Sequence, residues 1–191
     1  MKRLWSIFVL GLVLALPVLA EEGYDLRKIR WGMSMAEVQA AEGREPVFRN
    51  DEAMAYAGIS MAAHSFDLAY YFNDDRLYQA IYIWSDKSFG AKECFTVFDN
   101  LKELLNAKYG PSLRDDRIWR NNLYRDDPDS WELAVTTGSL SCYAFWETER
   151  TAITLILTGK NYEVSLMVGY EAKEMQEEVE QEEREKDLGN L

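Results

Sequence analysis

Residues able to do chemistry are few in this chain of 191 residues, and their spacing sets the first limits. His64 is the one histidine, set in Ala62-Ala63-His64-Ser65. A serine triad would have to use it, yet no Gly-x-Ser-x-Gly elbow presents a nucleophile. One histidine and two cysteines exclude a closed tetrahedral zinc site built from those residues. Hard oxygen ligands are more plentiful. Asn73-Asp74-Asp75, Asp115-Asp116 and Asp126-Asp127-Pro128-Asp129 offer donors suited to calcium, and Asp126, Asp127 and Asp129 form the best candidate cation site. None has the spacing of a calcium loop with its glycine and distal glutamate, and aspartate in such clusters also serves turns. With 33 acidic residues, a carboxylate pair meeting only in space leaves a carboxylate-dependent hydrolase as one alternative function and a calcium-binding module as another.

Aromatic side chains give the most specific signal. The chain has six Trp, eleven Tyr and eight Phe. In the segment from Arg76, strict alternation puts Tyr78, Tyr82 and Trp84 on one face and Leu77, Ile81 and Ile83 on the other. If the aliphatic face meets the helices, the three aromatics form a partly open platform that grips a protein or stacks a glycan. If helices cover the aromatic face, the same residues are core, as Trp31, Trp119, Trp131 and Trp146 are also read to be.

Compartment bears on the two cysteines. Lys2 and Arg3 precede an apolar run from Leu4 to Leu16, and Val18-Leu19-Ala20 supplies small residues where a signal peptidase reads. Residues 1–20 are therefore expected to be a cleaved leader, with a retained anchor as the competing reading. The run is shorter than the roughly 20 residues that span a bilayer. Losing Lys2 and Arg3 takes the formal charge from −12 to −14. The mature chain is expected to be exported, periplasmic or extracellular, and not membrane-spanning. Its acidity argues against nucleic acid, which needs cations to displace phosphate counterions. In an oxidising compartment Cys94 and Cys142 are a disulfide candidate. Two separate buried thiols are the alternative, and neither cysteine has the CxxC partner or adjacent histidine that thiol catalysis needs.

The elements that must position these residues follow from periodicity. Ser34 with Glu37 is a capping box opening a short helix that stops at Glu42-Gly43, and Met33 with Val38 forms its staple. Residues 52–58 are ambiguous. Residues 65–73 and 76–85 alternate as a hairpin around Asp74-Asp75. A 3.6-residue stripe through Cys94, Phe98, Leu101 and Leu105 predicts a helix over 89–109, stopped by Gly110-Pro111. Strands are expected at 117–121, 140–147, 151–158 and 162–170, with a turn at 126–129. The order predicts an α+β fold of two helix-plus-antiparallel-meander modules, residues 31–85 and 89–170, sharing one layered core in a single domain over 21–170. Residues 171–187 hold nine acids and three bases. Glu180–Arg184 and Glu182–Lys186 pair at i,i+4, so residues 171–191 read as an acidic C-terminal helix or disordered tail.

Arg30-Trp31-Gly32-Met33-Ser34-Met35-Ala36-Glu37-Val38, Lys108-Tyr109-Gly110-Pro111, Asp126-Asp127-Pro128 with Trp131, Phe145-Trp146-Glu147-Thr148 and Tyr170-Glu171 together resemble a family of uncharacterised exported bacterial proteins. The short helix followed by strands is also similar to small envelope modules of the β-lactamase-inhibitor-protein fold, a resemblance that implies an αβ repeat used for protein binding. The expectation is a non-catalytic envelope interaction module without a cofactor, whose partner is another envelope protein or a glycan.

Overall fold

The computed structural model describes residues 23–85 and 93–175, together with residues 178, 184 and 188. The expected leader, the first residues of the second helix and most of the acidic tail lie outside the described residues. The capping box is formed as the sequence requires. Ser34 N–H donates to Glu37 Oε2 at 2.8 Å, and the Ser34 amide and then its hydroxyl hold the Glu37 carboxyl below its ordinary pKa. Helix α1 (Met35–Glu42) ends on Gly43 at φ 67°, a left-handed cap that a Cβ would strain.

The sheet then begins: β1 (Phe48–Arg49), β2 (Ala53–Met61), β3 (His64–Asn73) and β4 (Arg76–Trp84). Helix α2 (Cys94–Tyr109) follows, then β5 (Arg114–Trp119), a 3-10 turn (Pro128–Ser130) leading into α3 (Trp131–Thr136), and β6 (Leu140–Glu147), β7 (Thr151–Lys160) and β8 (Glu163–Ala172). All eight strands join one antiparallel sheet in the order β1-β2-β3-β4-β8-β7-β6-β5. The fold is α+β. Three hairpins turn on residue pairs that both take positive φ, Ala62-Ala63, Asp74-Asp75 and Asn161-Tyr162. That conformation matches the twist of the strands it joins.

The helices lie on one face of the sheet. From α1, Glu42 meets Tyr70; from α2, Tyr109 meets Tyr170 and Asn106 accepts the indole N–H of Trp146; from α3, Trp131 meets Trp119. Side chains on this face close into one core, with Phe66, Leu68, Leu77, Leu101, Leu155 and Leu166 almost wholly removed from solvent. Fully burying a side chain of this size stabilises by about 1.5–3 kcal/mol. The lead-in segment is fastened to the far half by Trp31, whose Nε1 donates to Thr151 Oγ1 at 2.8 Å.

The ambiguous stretch at 52–58 is strand, and the strand expected at 117–121 begins three residues earlier. Helix α3 and the two-residue β1 were not expected. The larger correction concerns β4. Tyr71 pairs with Gln79, but the next residue, Phe72, pairs with Leu77, so Tyr78 is an extra residue in a β-bulge. Alternation breaks there, and Leu77 shares the core face with Ala80 and Tyr82, while Ile81 and Ile83 point the other way.

Candidate functional site

The bulge overturns the tyrosine platform. Tyr82 is 4 % exposed and packs edge-on against Tyr170 with ring centroids 6.0 Å apart, while Tyr78 and Trp84 are partly buried against the same core. The helices cover the aromatic face, and no open surface contains Tyr78, Tyr82 and Trp84 together. Of the two readings of the cysteines, the structure shows the separate thiols and not the candidate disulfide: Cys94, on α2, and Cys142, on β6, are free and buried. Burial pushes the Cys94 thiol up to about 12. It carries Cys142 to about 11 against the opposing pull of Arg117. Both therefore stay protonated near neutral pH, the opposite of a reactive thiolate.

Asp126, Asp127 and Asp129 are exposed, and Asp127 is engaged locally, accepting the Ser130 hydroxyl at 2.6 Å as turn residues do. Among the described residues no three histidine, cysteine, aspartate or glutamate side chains come together as metal ligands would. His64 opens β3 with its ring edge-on to Trp84 at 6.1 Å.

A cluster the sequence did not disclose lies beneath α1. The Glu42 side chain is 3 % exposed, and its two oxygens accept Tyr70 O–H at 2.6 Å and Arg27 Nη2 at 3.2 Å. Burial first, then the Glu42 hydrogen bond, drives the Tyr70 hydroxyl far above its ordinary pKa. Burial raises Tyr82 as well, with Arg27 pulling the other way. Asp25 is similarly engaged, accepting the Trp31 backbone N–H at 2.9 Å and lying 3.4 Å from Arg150. Each of these buried carboxylates is committed to a cation and a fixed donor, which suits holding the lead-in segment and α1 onto the sheet. Neither is poised to activate water.

The surface left for function is the other face of the sheet. Its middle row runs across the strands from Ala55 through Ala69, Ile81, Gly169 and Thr154 to Phe145. Beside it run Ile83, Met167, Ile156 and Tyr143, flanked by Asp67 and Asp116. These positions are half-buried or exposed, Ile83 being 38 % exposed, and the helix contacts named above lie on the opposite face. At the β5 end a groove of about 340 Å³ opens between Arg114, Asp116, Ile118, Tyr143, Phe145 and Thr154. At the opposite end Phe48, paired with Ala55 and so on this same face, is 53 % exposed.

Gly169 sits at the centre of this face, and nothing among the described residues requires a glycine there. Its φ lies outside the left-handed region, and a Cβ added to it would meet nothing within 4 Å. Gly159 is different, since a Cβ there would collide with the Val135 carbonyl oxygen. Strand-interior glycines often stand where a ligand or another backbone approaches closely. The sheet edges offer less. β1 has two residues, and β5 carries Arg114, Asp115, Asp116 and Arg117, charges that discourage a further strand. Comparison of the chain with protein-family models, curated proteins and solved structures finds no match.

Proposed function

We propose that the chain is a non-catalytic interaction module, exported to the periplasm or beyond, that docks a protein through the open face of its sheet. The observation that carries this reading is the apolar row from Ala55 to Phe145, uncovered among the described residues, with Gly169 recessed at its middle. A sheet buries one face in its own core, and a second apolar face is stable in water only at a cost that a partner removes. Broad, and with its groove at the β5 end open to solvent, the surface fits a protein better than a glycan. The buried carboxylates, tied to Arg27 and Arg150, give a hydrolase no support. Among the described residues no helix is long and apolar enough to cross a membrane.

In the same proposal the architecture is a pair of modules, each a helix followed by a four-strand meander, α1 with β1–β4 and α2 with β5–β8. The equivalent turns Asp74-Asp75-Arg76 and Thr148-Glu149-Arg150 support it, as does the meeting of the two meanders at β4 and β8. The resemblance to small envelope modules that bind proteins through an αβ repeat agrees with this division. Affinity capture from an envelope extract tests the functional reading, comparing the wild type with Ile83→Asp. Recovery that disappears in the variant while its melting temperature is unchanged supports docking through this face; equal recovery refutes it.

A further inference from the structure

We propose that the occupant of the open face is a second copy of this chain, packed sheet to sheet about a two-fold axis roughly parallel to the strands and passing between β4 and β8. The inference rests on the docking reading above and adds the partner.

Such an axis places each strand of one copy opposite the strand equally far from the centre in the other. Thus β4 faces β8, β3 faces β7, β2 faces β6, and β1 faces β5. Side-chain volumes at the centre of the face are distributed as that operation requires. Ile81 of one copy stands over Gly169 of the other, where a side chain has free space. Phe145 stands over Ala55, and Tyr71 over Ala152. At the periphery Phe48, 53 % exposed, arrives above Arg114 at the groove of about 340 Å³ beside Tyr143 and Phe145. Large residues meet small ones at the first three of these positions, while the neighbouring row sets Ile83 over Met167 and Asp67 over Ile156, and every contact occurs twice, as an isologous interface demands. Interdigitation of this kind fills the space of about 10 Å between packed sheets.

Area and charge agree. Seven strands at about 4.8 Å spacing with three rows of outward side chains, to which two-residue β1 adds Phe48, give a face of about 700 Å², close to the ~800 Å² that each partner contributes to a standard stable interface. The chain is strongly acidic, but most charges on this face are balanced in place. Arg114 pairs with Asp116 at 2.8 Å and Lys173 with Glu147 at 3.2 Å, which leaves the carboxylates of Asp67 and of Glu171, the latter hydrogen-bonded by Gln79 at 2.7 Å but not neutralised. Repulsion then comes from these two carboxylates and from the molecules' net charge, so association strengthens with added salt.

Light scattering on the purified mature chain, with cross-linking to fix the geometry, provides the test. The wild type is expected to have twice the monomer mass at micromolar concentration, and Phe48→Ala, a change at an exposed residue, is expected to weaken the dimer at least tenfold. Chains carrying Ala55→Cys are mixed with chains carrying Phe145→Cys and treated with a short bis-maleimide. Within one chain these positions are five strands, about 24 Å, apart, so a cross-linked species joining one chain of each kind, in excess over either like pair, supports the arrangement. A monomer at all accessible concentrations overturns self-association; if Ile83→Asp then still abolishes capture of another protein, docking through the face stands, and if it does not, both readings fall. A dimer that cross-links without preference, or ignores Phe48→Ala, overturns this geometry.

Discussion

Removing the Tyr70 hydroxyl isolates the buried contact that fastens α1 to the sheet. The Tyr70–Glu42 bond is 2.6 Å long, Tyr70 is fully buried, and the Glu42 side chain is 3 % exposed. That length belongs to a charge-assisted O–H···O⁻ bond, and bonds to a charged group contribute about 1.5–3 kcal/mol. Tyr70→Phe keeps the ring and its edge-on contact with Tyr56 at 6.1 Å, so the loss is confined to the hydroxyl. Glu42 retains Arg27, which limits the penalty to the lower part of that range, about 2 kcal/mol. Urea unfolding followed by tryptophan fluorescence should show this drop at unchanged m-value, and thermal melting a fall of about 4–8 °C. Glu42→Gln should cost a similar amount, and the double variant should lose about 2 kcal/mol less than the sum of the singles, because they remove one shared bond. A Tyr70→Phe chain within 0.5 kcal/mol of the wild type, or singles that simply add, would show that the contact does not hold the helix.

Two further predictions concern the glycines and the thiols. Gly159→Ala should destabilise by at least about 1–3 kcal/mol, because its Cβ is forced against the Val135 carbonyl; Gly169→Ala, entering open space, should be neutral or stabilise the monomer by up to about 1 kcal/mol. Chemical denaturation of both variants checks the contrast, and equal costs would contradict it. Cys94 and Cys142 titrate near 12 and 11 in the folded chain against an ordinary 9.0. Above pH 9 the unfolded chain therefore releases these protons first, and the stability present in full below pH 9 declines between pH 9 and about 11–12, by up to about 1.4 kcal/mol per pH unit for each thiol. Cys142→Ala should flatten that decline in melts recorded across the window; an unchanged slope would show that the thiol is not buried as described.

Strand positions and caps were legible because they depend on local chemistry. Ser34 with Glu37, Gly43 and Gly110 delimit helices by hydrogen bonding and φ preference, and β6 begins and ends where alternation places it. The direction in which β4 faces was not legible. Alternation assumes a uniform count, and the extra residue at Tyr78 shifts every later side chain to the opposite face. Hydropathy offers no correction, since Ile81 and Ile83 on the open face are as apolar as the core. β5 escaped notice for its first three residues because Arg114-Asp115-Asp116 reads as a polar loop, although charge is what an edge strand uses to stay unpaired. Glu42 looked like an ordinary helix end, and only packing brings Tyr70 and Arg27 to it. Gly169, in the cleanest strand of the chain, was visible, yet its meaning depends on knowing that neither neighbours nor φ require it.

The facing of β4 decides which surface is core and which is free, and single-cysteine labelling measures it most directly. Chains carrying Tyr82→Cys or Ile83→Cys are treated with a maleimide under native conditions, at a concentration low enough to exclude association, with the two buried native thiols as internal controls. Rapid labelling at position 83, and labelling at position 82 only on unfolding, is the expected result. Rapid labelling at position 82 with protection at 83 would contradict the account, returning the tyrosines to the surface and closing the face on which docking depends.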